Sequence, residues 1–196
     1  MTDRLDLKII IDMIEPKSSV LDLGCGDGEL LSHLKREKGC RVTGIEINQE
    51  AIFKCVENGV TVAQGDIDSS LADFSDKRFD YVILNESLQE ILHAEYVIMQ
   101  SLRVGKKVII GIPNFCHFSS RLQVFFKGVV PLTKSLPYQW YNTPNVRFLS
   151  LKDFRDFCMN HGITIEREIG IRSNTARVNF CKNLFAHIGI FVLSKQ

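Results

Sequence analysis

An α/β fold with a mostly parallel sheet and helices on both faces is predicted by three observations. Short apolar runs alternate with amphipathic stretches along the 196 residues, the pattern of strands joined by helical crossovers. A glycine-rich turn, Gly24-Cys25-Gly26-Asp27-Gly28, lies between a strand-like run and a helix-like one. Acidic residues then close the next two strand-like runs, Glu46 and Asp66.

The elements follow in order. Residues 4–14 read as a helix with Leu5, Ile9 and Met13 on one face, ended by Pro16. Residues 19–23 are the first strand, and a helix over 29–37 turns Leu30, Leu31 and Leu34 inward. The second strand is 41–47. Asn48 is placed to cap a helix whose Ala51, Ile52, Cys55 and Val56 share a stripe, with Gly59 at its end. Strands follow at 61–64, 79–84 and 107–112, with a helix near 93–102 before the last of these. Residues 114–127 read as a helix with Phe118, Leu122 and Phe125 inward. Residues 128–148 hold three of the five prolines and suggest an ordered cover, so that 114–148 roofs a single domain spanning 1–196. Ser150, with Asp153 at the third position, starts a helix. Strands at 163–169 and 184–193 complete the chain, joined by a polar loop or hairpin tip over 172–183.

Composition removes several classes of function. With 24 basic and 23 acidic residues the net charge is +1, which leaves no electrostatic footprint for nucleic acid or an acidic membrane. Six cysteines, at 25, 40, 55, 116, 158 and 181, form no Cys-x-x-Cys unit and no cluster with histidine. Most read as reduced core residues, and the set as neither a zinc site nor a disulfide scaffold. No signal-peptide pattern is visible, and the apolar run 184–193 is too short for a bilayer. The cytosol is the expected location.

The glycine turn lets a ligand approach bare backbone beside helix amides. Glu46, 18 residues beyond Gly28, stands where a carboxylate can accept both hydroxyls of a ribose. Asp66 stands where a side chain can reach an adenine edge. The spacing Gly-x-Gly-x-Gly, preceded by Asp22, departs from the Gly-x-Gly-x-x-Gly that makes room for a pyrophosphate, and no phosphate-loop lysine follows. A nucleoside ligand without phosphates fits better.

At these residues the chain resembles class I S-adenosylmethionine-dependent methyltransferases. The resemblance implies a Rossmann-like, seven-stranded, mostly parallel sheet whose last strand is antiparallel. It implies that Asp22, Gly24, Cys25 and Gly26 surround the methionine part of S-adenosylmethionine. Glu46 beside Ile47 would hold the ribose, Asp66 and Ile67 would flank the adenine, and Asn85 would approach the amino-acid end. The stretches Ile112-Pro113-Asn114-Phe115 and Leu136-Pro137-Tyr138-Gln139-Trp140-Tyr141-Asn142-Thr143-Pro144-Asn145, with the glycine turn and residues 79–84, resemble the bacterial MetW family of methionine biosynthesis. That resemblance implies action alongside a homoserine O-acyltransferase. The turn after the fourth strand, Asn85-Glu86-Ser87-Leu88, departs from the Asn/Asp-Pro-Pro-aromatic turn of enzymes that methylate nucleic-acid amines, and so points to a small-molecule acceptor.

Methyl transfer from a sulfonium needs alignment and exclusion of water more than a dedicated catalytic set. His117 and Tyr141 are the candidates for a base or acceptor contact, with Tyr138 beside them. His117 reads more readily as a helix-start histidine bonded to backbone. Tyr138, Trp140 and Tyr141 suit a lid, a loop anchor or a partner surface. His93 and His161 read as surface helix ends, and Lys35, Arg36 and Lys38 as solvated.

Overall fold

The computed structural model describes residues 4–133, 135–173 and 176–195. In chain order the elements are α1 (Leu5–Met13), β1 (Ser19–Leu23), α2 (Glu29–Lys38), β2 (Arg41–Glu46), α3 (Gln49–Glu57), β3 (Val62–Gln64), the one-turn α4 (Ile67–Ser70) and β4 (Phe79–Asn85). A 3-10 turn over Leu88–Glu90 leads into α5 (Ala94–Val104) and β5 (Gly105–Pro113). Then come α6 (Phe118–Lys127), α7 (Leu151–Asn160), β6 (Ile163–Ser173), β7 (Ala176–Val178), the short α8 (Lys182–Phe185) and β8 (Ile188–Lys195).

The strands form one sheet in the order β3-β2-β1-β4-β5-β8-β6-β7. The first five pair in parallel, and β8 runs antiparallel between β5 and β6. Strand order reverses between β1 and β4, and a crevice opens at the carboxyl ends of strands at such a switch point. Alternation along the central strands divides the core in two. Leu21, Val82, Leu84 and Val108 pack with α5 and α7. Val20, Ile83 and Ile109 pack with α1 and α2. Helices therefore cover both faces, as a buried parallel sheet requires.

The caps expected from sequence are present. Asn48 Oδ1 accepts from the amides of Glu50 and Ala51 at 2.9 and 3.1 Å. Ser150 and Asp153 form a reciprocal capping box.

Five expectations are corrected. The sheet has eight strands, not seven, because β6 continues to Ser173 and pairs with the short β7, the hairpin rather than the loop of the two alternatives expected there. Polar side chains suit an edge hairpin, whose outer face is solvated, as well as they suit a loop. The last strand starts later, at Ile188, after the turn of α8. Next, α6 begins at Phe118, not at 114, since Pro113 still belongs to β5 and Asn114 is held by its side chain. Asn114 Nδ2 donates to the carbonyls of Ala186 and Asn183 at 2.8 and 3.0 Å. The stripe on α6 does not face inward: Phe125 is 81% exposed and Leu122 48%. Helical spacing identifies which residues share a face, not what covers that face. Last, Lys35 and Lys38 are not merely solvated. Lys35 Nζ donates to the Gly59 carbonyl at 2.6 Å, and Lys38 Nζ donates to the carbonyls of Ile11 and Ile14 at the end of α1, where a cation suits the helix terminus.

Candidate cofactor site at the carboxyl edge of the sheet

The glycine turn leaves β1 and folds onto β2. The amides of Gly24 and Cys25 both donate to the Ile45 carbonyl, at 2.9 and 3.2 Å. Gly24 has φ +76°, a left-handed conformation, and a Cβ there would lie 3.1 Å from Ser87 Cβ. Only a glycine fits both demands. The Glu46 carboxylate then ties the turn to the end of β2. Its Oε2 accepts from the Gly26 amide at 2.8 Å, and its Oε1 accepts from the amides of Ile47 and Asn48, both at 2.9 Å. Asp66 follows β3 and caps α4, accepting from the Asp68 amide at 2.9 Å.

Two clefts open at this edge. The first, about 170 Å³, is lined by Arg4, Leu7, Asp22, Gly24, Cys25, Gly26, Asp27, Glu29, Leu30, Asn85 and Glu86. The second, about 340 Å³, is lined by Gly24, Glu46, Ile47, Gly65, Asp66, Ile67, Asp68, Glu86, Ser87, Glu90, Ile91 and Leu92. Gly24 and Glu86 border both. Every residue expected to surround a cofactor is brought to one of the two. Asp22, Cys25, Gly26 and Asn85 line the first, Glu46, Ile47, Asp66 and Ile67 line the second, and Gly24 lines both. A larger groove of about 1010 Å³ between α5, α7 and residues 146–149 contains none of them.

The candidates for a base are elsewhere. His117 is 2% exposed and lines neither cleft. It caps α6, with Nδ1 accepting from the Ser119 amide at 3.2 Å, and it stacks on His187 at 3.8 Å. Burial and the neighbouring His187 push it down to about 4. Tyr138, Trp140 and Tyr141 are exposed and also line neither cleft; Trp140 and Tyr141 meet edge to face. The cover segment is nonetheless anchored beside the second cleft, since the amides of Val146 and Arg147 donate to the Gln89 carbonyl at 3.0 and 3.1 Å.

Sequence reasoning missed a polar network that closes the first cleft. Arg4 donates to Asp6 at 2.6 Å and to Glu86 at 2.7 Å, and Asn85 Nδ2 donates to Asp6 at 2.9 Å. Glu86 was legible as a charged residue directly after a strand end. Arg4 was not, because only the packing of α1 on α2 and the sheet brings it there.

The electrostatics are one-sided. Asp22, Asp27, Glu29, Glu46, Asp66, Asp68, Glu86 and Glu90 line the clefts, and among the described lining residues Arg4 is the one basic side chain. Burial, then Glu46, pushes Asp22 up to about 7. Burial raises Glu86 against the pull of Arg4, and burial with Glu46 raises Glu90. Desolvation and mutual repulsion both favour the neutral carboxyl. The excess of acidic over basic side chains nonetheless suits a cationic ligand better than a phosphate. Among the described residues no group of three or more His, Cys, Asp or Glu is placed to hold a metal ion, and no helix is long and apolar enough to cross a membrane.

Solved structures share this architecture. A SAM-dependent methyltransferase from Archaeoglobus fulgidus aligns over 97% of this chain and 91% of its own, with TM-score 0.68 and 19% identity. One from Thermotoga maritima aligns over 98% and 88%, with TM-score 0.68 and 16% identity. The molecule thus has the class I S-adenosylmethionine-dependent methyltransferase fold. The family described as "Methionine biosynthesis protein MetW" matches residues 4–193, and the chain belongs to it. The "Bifunctional methionine biosynthesis protein MetXA/MetW" of Rhodopirellula baltica is 35% identical over 178 residues, which are 86% of this chain and 29% of that protein. A "Ribosomal protein L11 methyltransferase" of Methylobacillus flagellatus is 33% identical over 43% of this chain and 28% of its own. The matched segments thus span under a third of the length of either relative.

Proposed function

We propose that this chain binds S-adenosylmethionine across the two joined clefts and transfers its methyl group to a small molecule of methionine metabolism. One observation carries the reading: the glycine turn, Glu46 and Asp66 meet around clefts that share Gly24 and Glu86. In this reading Asp22, Gly24, Cys25, Gly26 and Asn85 surround the amino-acid half. Glu46 beside Ile47 takes the ribose hydroxyls, and Asp66 with Ile67 flanks the adenine. The acidic lining suits this cationic group. When bound, it supplies an electrophilic methyl on a sulfonium. The chain's own part is to hold the donor in one pose, align the acceptor and exclude water; orientation of that kind is worth roughly 7–11 kcal/mol of barrier. His117 and Tyr141 lie off the clefts, so the reading assigns them no catalytic step. Free cysteines suit a reducing compartment, and we take the cytosol as the place of action.

Calorimetric titration tests binding: S-adenosylmethionine should bind the native chain and lose affinity with Glu46→Ala while the fold persists. Release of S-adenosylhomocysteine in the presence of methionine-pathway intermediates tests transfer. None with any of them would remove the catalytic half of the reading.

A second reading is favoured by the Rhodopirellula baltica relative, whose name joins MetXA to MetW in one chain. Here the protein is a cofactor-binding partner that adjusts a homoserine O-acyltransferase. The exposed apolar side chains of α6 and residues 138–141 would be the contact. Acyltransferase rates with and without the chain, and with and without S-adenosylmethionine, test it. An unchanged rate in every arm would remove it.

A further inference from the structure

The two clefts meet at two residues, and one of those has no side chain. Gly24 and Glu86 alone, among the described residues, line both. The amino-acid half and the nucleoside half of the cofactor are joined by its sulfur. If the halves occupy the two clefts, the sulfur sits at the junction, and the side chain beside it is the Glu86 carboxylate. We propose that Glu86 makes this site select the cationic methylated cofactor over its neutral demethylated product, an inference that rests on the cofactor reading above.

The backbone holds Glu86 to that place. It adopts φ +58°, in the left-handed region, which is uncommon for a residue with a Cβ and points to a position enforced by its surroundings. Its amide donates to the Gly111 carbonyl at 2.8 Å. Its carboxylate accepts from Arg4 at 2.7 Å and is 30% exposed. Acidic side chains outnumber Arg4 around the junction. With a free amino-acid end, the sulfonium form carries one net positive charge and the thioether product carries none. Their shapes differ by one methyl group. Charge is therefore the property by which this cleft can separate them, and the partly desolvated site screens it less than water does.

The test is paired calorimetry with S-adenosylmethionine and S-adenosylhomocysteine on the native chain, Glu86→Gln and Arg4→Gln, each checked for folding by circular dichroism. The native chain should prefer the sulfonium by about tenfold, roughly the effect of one partly screened charge pair. Glu86→Gln should lower the ratio several-fold, about threefold or more, by weakening the sulfonium more than the thioether. Arg4→Gln should not lower the ratio, because it removes a competing positive charge. On the native chain alone, the ratio should fall as ionic strength rises from about 0.01 M to about 1 M. That salt arm keeps the charge claim testable should Glu86→Gln fail to fold. Equal binding of both ligands, or a ratio untouched by salt, overturns the proposal while the cofactor reading stands. Binding of neither ligand overturns both.

Discussion

The amide of Gly26 lies 2.8 Å from Oε2 of Glu46, so the carboxylate that closes β2 also braces the glycine turn that follows β1. Oε1 meanwhile takes two amides. Oε1 thus has both lone pairs engaged, and Oε2 keeps one for a further donor. Glu46→Gln would turn one oxygen into an NH2 that faces an amide donor. It should cost about 1–3 kcal/mol of stability, read by urea unfolding, and should weaken S-adenosylmethionine at least about tenfold, the loss of one good charge-assisted bond. Unchanged affinity in a folded variant would remove Glu46 from the site.

Glycine substitutions separate backbone strain from crowding. At Gly26, φ is +55° and a Cβ meets nothing within 4 Å, so Gly26→Ala should cost only the left-handed penalty, about 1–2 kcal/mol. At Gly28, φ is +77° and a Cβ would lie 2.9 Å from Cys55 Sγ. Gly28→Ala should therefore destabilise more than Gly26→Ala, by about a further 1–3 kcal/mol for overpacking. Equal melting temperatures for the two would contradict the geometry.

Asp22 makes an unusual pH signature. Its carboxyl is pushed up to about 7 by burial and then by Glu46, against about 3.9 in an unfolded chain. Between those values the folded chain holds a proton that the unfolded chain releases. The group's stabilisation is thus full below pH about 4 and is lost as pH rises through about 7. Its size is on the order of 4 kcal/mol. Other carboxyl groups pull the opposite way, so the measure is the difference between native protein and Asp22→Asn. That variant should be the more stable at pH 8, and its advantage should shrink toward pH 5.

Asp80 has the ordinary sign. It accepts from the Ser19 amide and hydroxyl at 2.8 and 2.7 Å and from Lys106 at 2.8 Å, and these hold it below the usual carboxylate range. Its contribution is present above pH about 4 and is lost as pH falls. Lys106 is largely exposed, so the contacts to Ser19 dominate. Asp80→Asn should cost about 1–2 kcal/mol at pH 7, with less loss in acid.

The outer face of α6 offers the reverse test. Phe125 lies in the open and touches mainly Phe126 edge to face, with ring centroids 4.9 Å apart. Phe125→Ser should leave stability within about 0.5 kcal/mol of native. Should thermal unfolding show a large loss, α6 packs more deeply than described.

Much of the candidate site was legible because it depends on local rules. Gly24 and Gly26 occupy left-handed backbone, which a glycine-rich run announces. Glu46 and Asp66 follow strands whose apolar periodicity shows where each ends. Asn48 and Ser150 signal helix starts through side chains that bond their own next turn. None of these needs a distant segment to be in place.

The five parallel strands in their order, the bare turn and the strand-end acids were determined by sequence alone, since each is a matter of spacing within a few residues. Only the tertiary structure decided that Arg4 reaches Glu86 across 82 positions of chain, that His117 is buried on His187 away from the clefts, and that the apolar stripe of α6 faces outward. Periodicity encodes which side chains share a face. What that face meets depends on how segments far apart in sequence pack, and no local pattern carries that information.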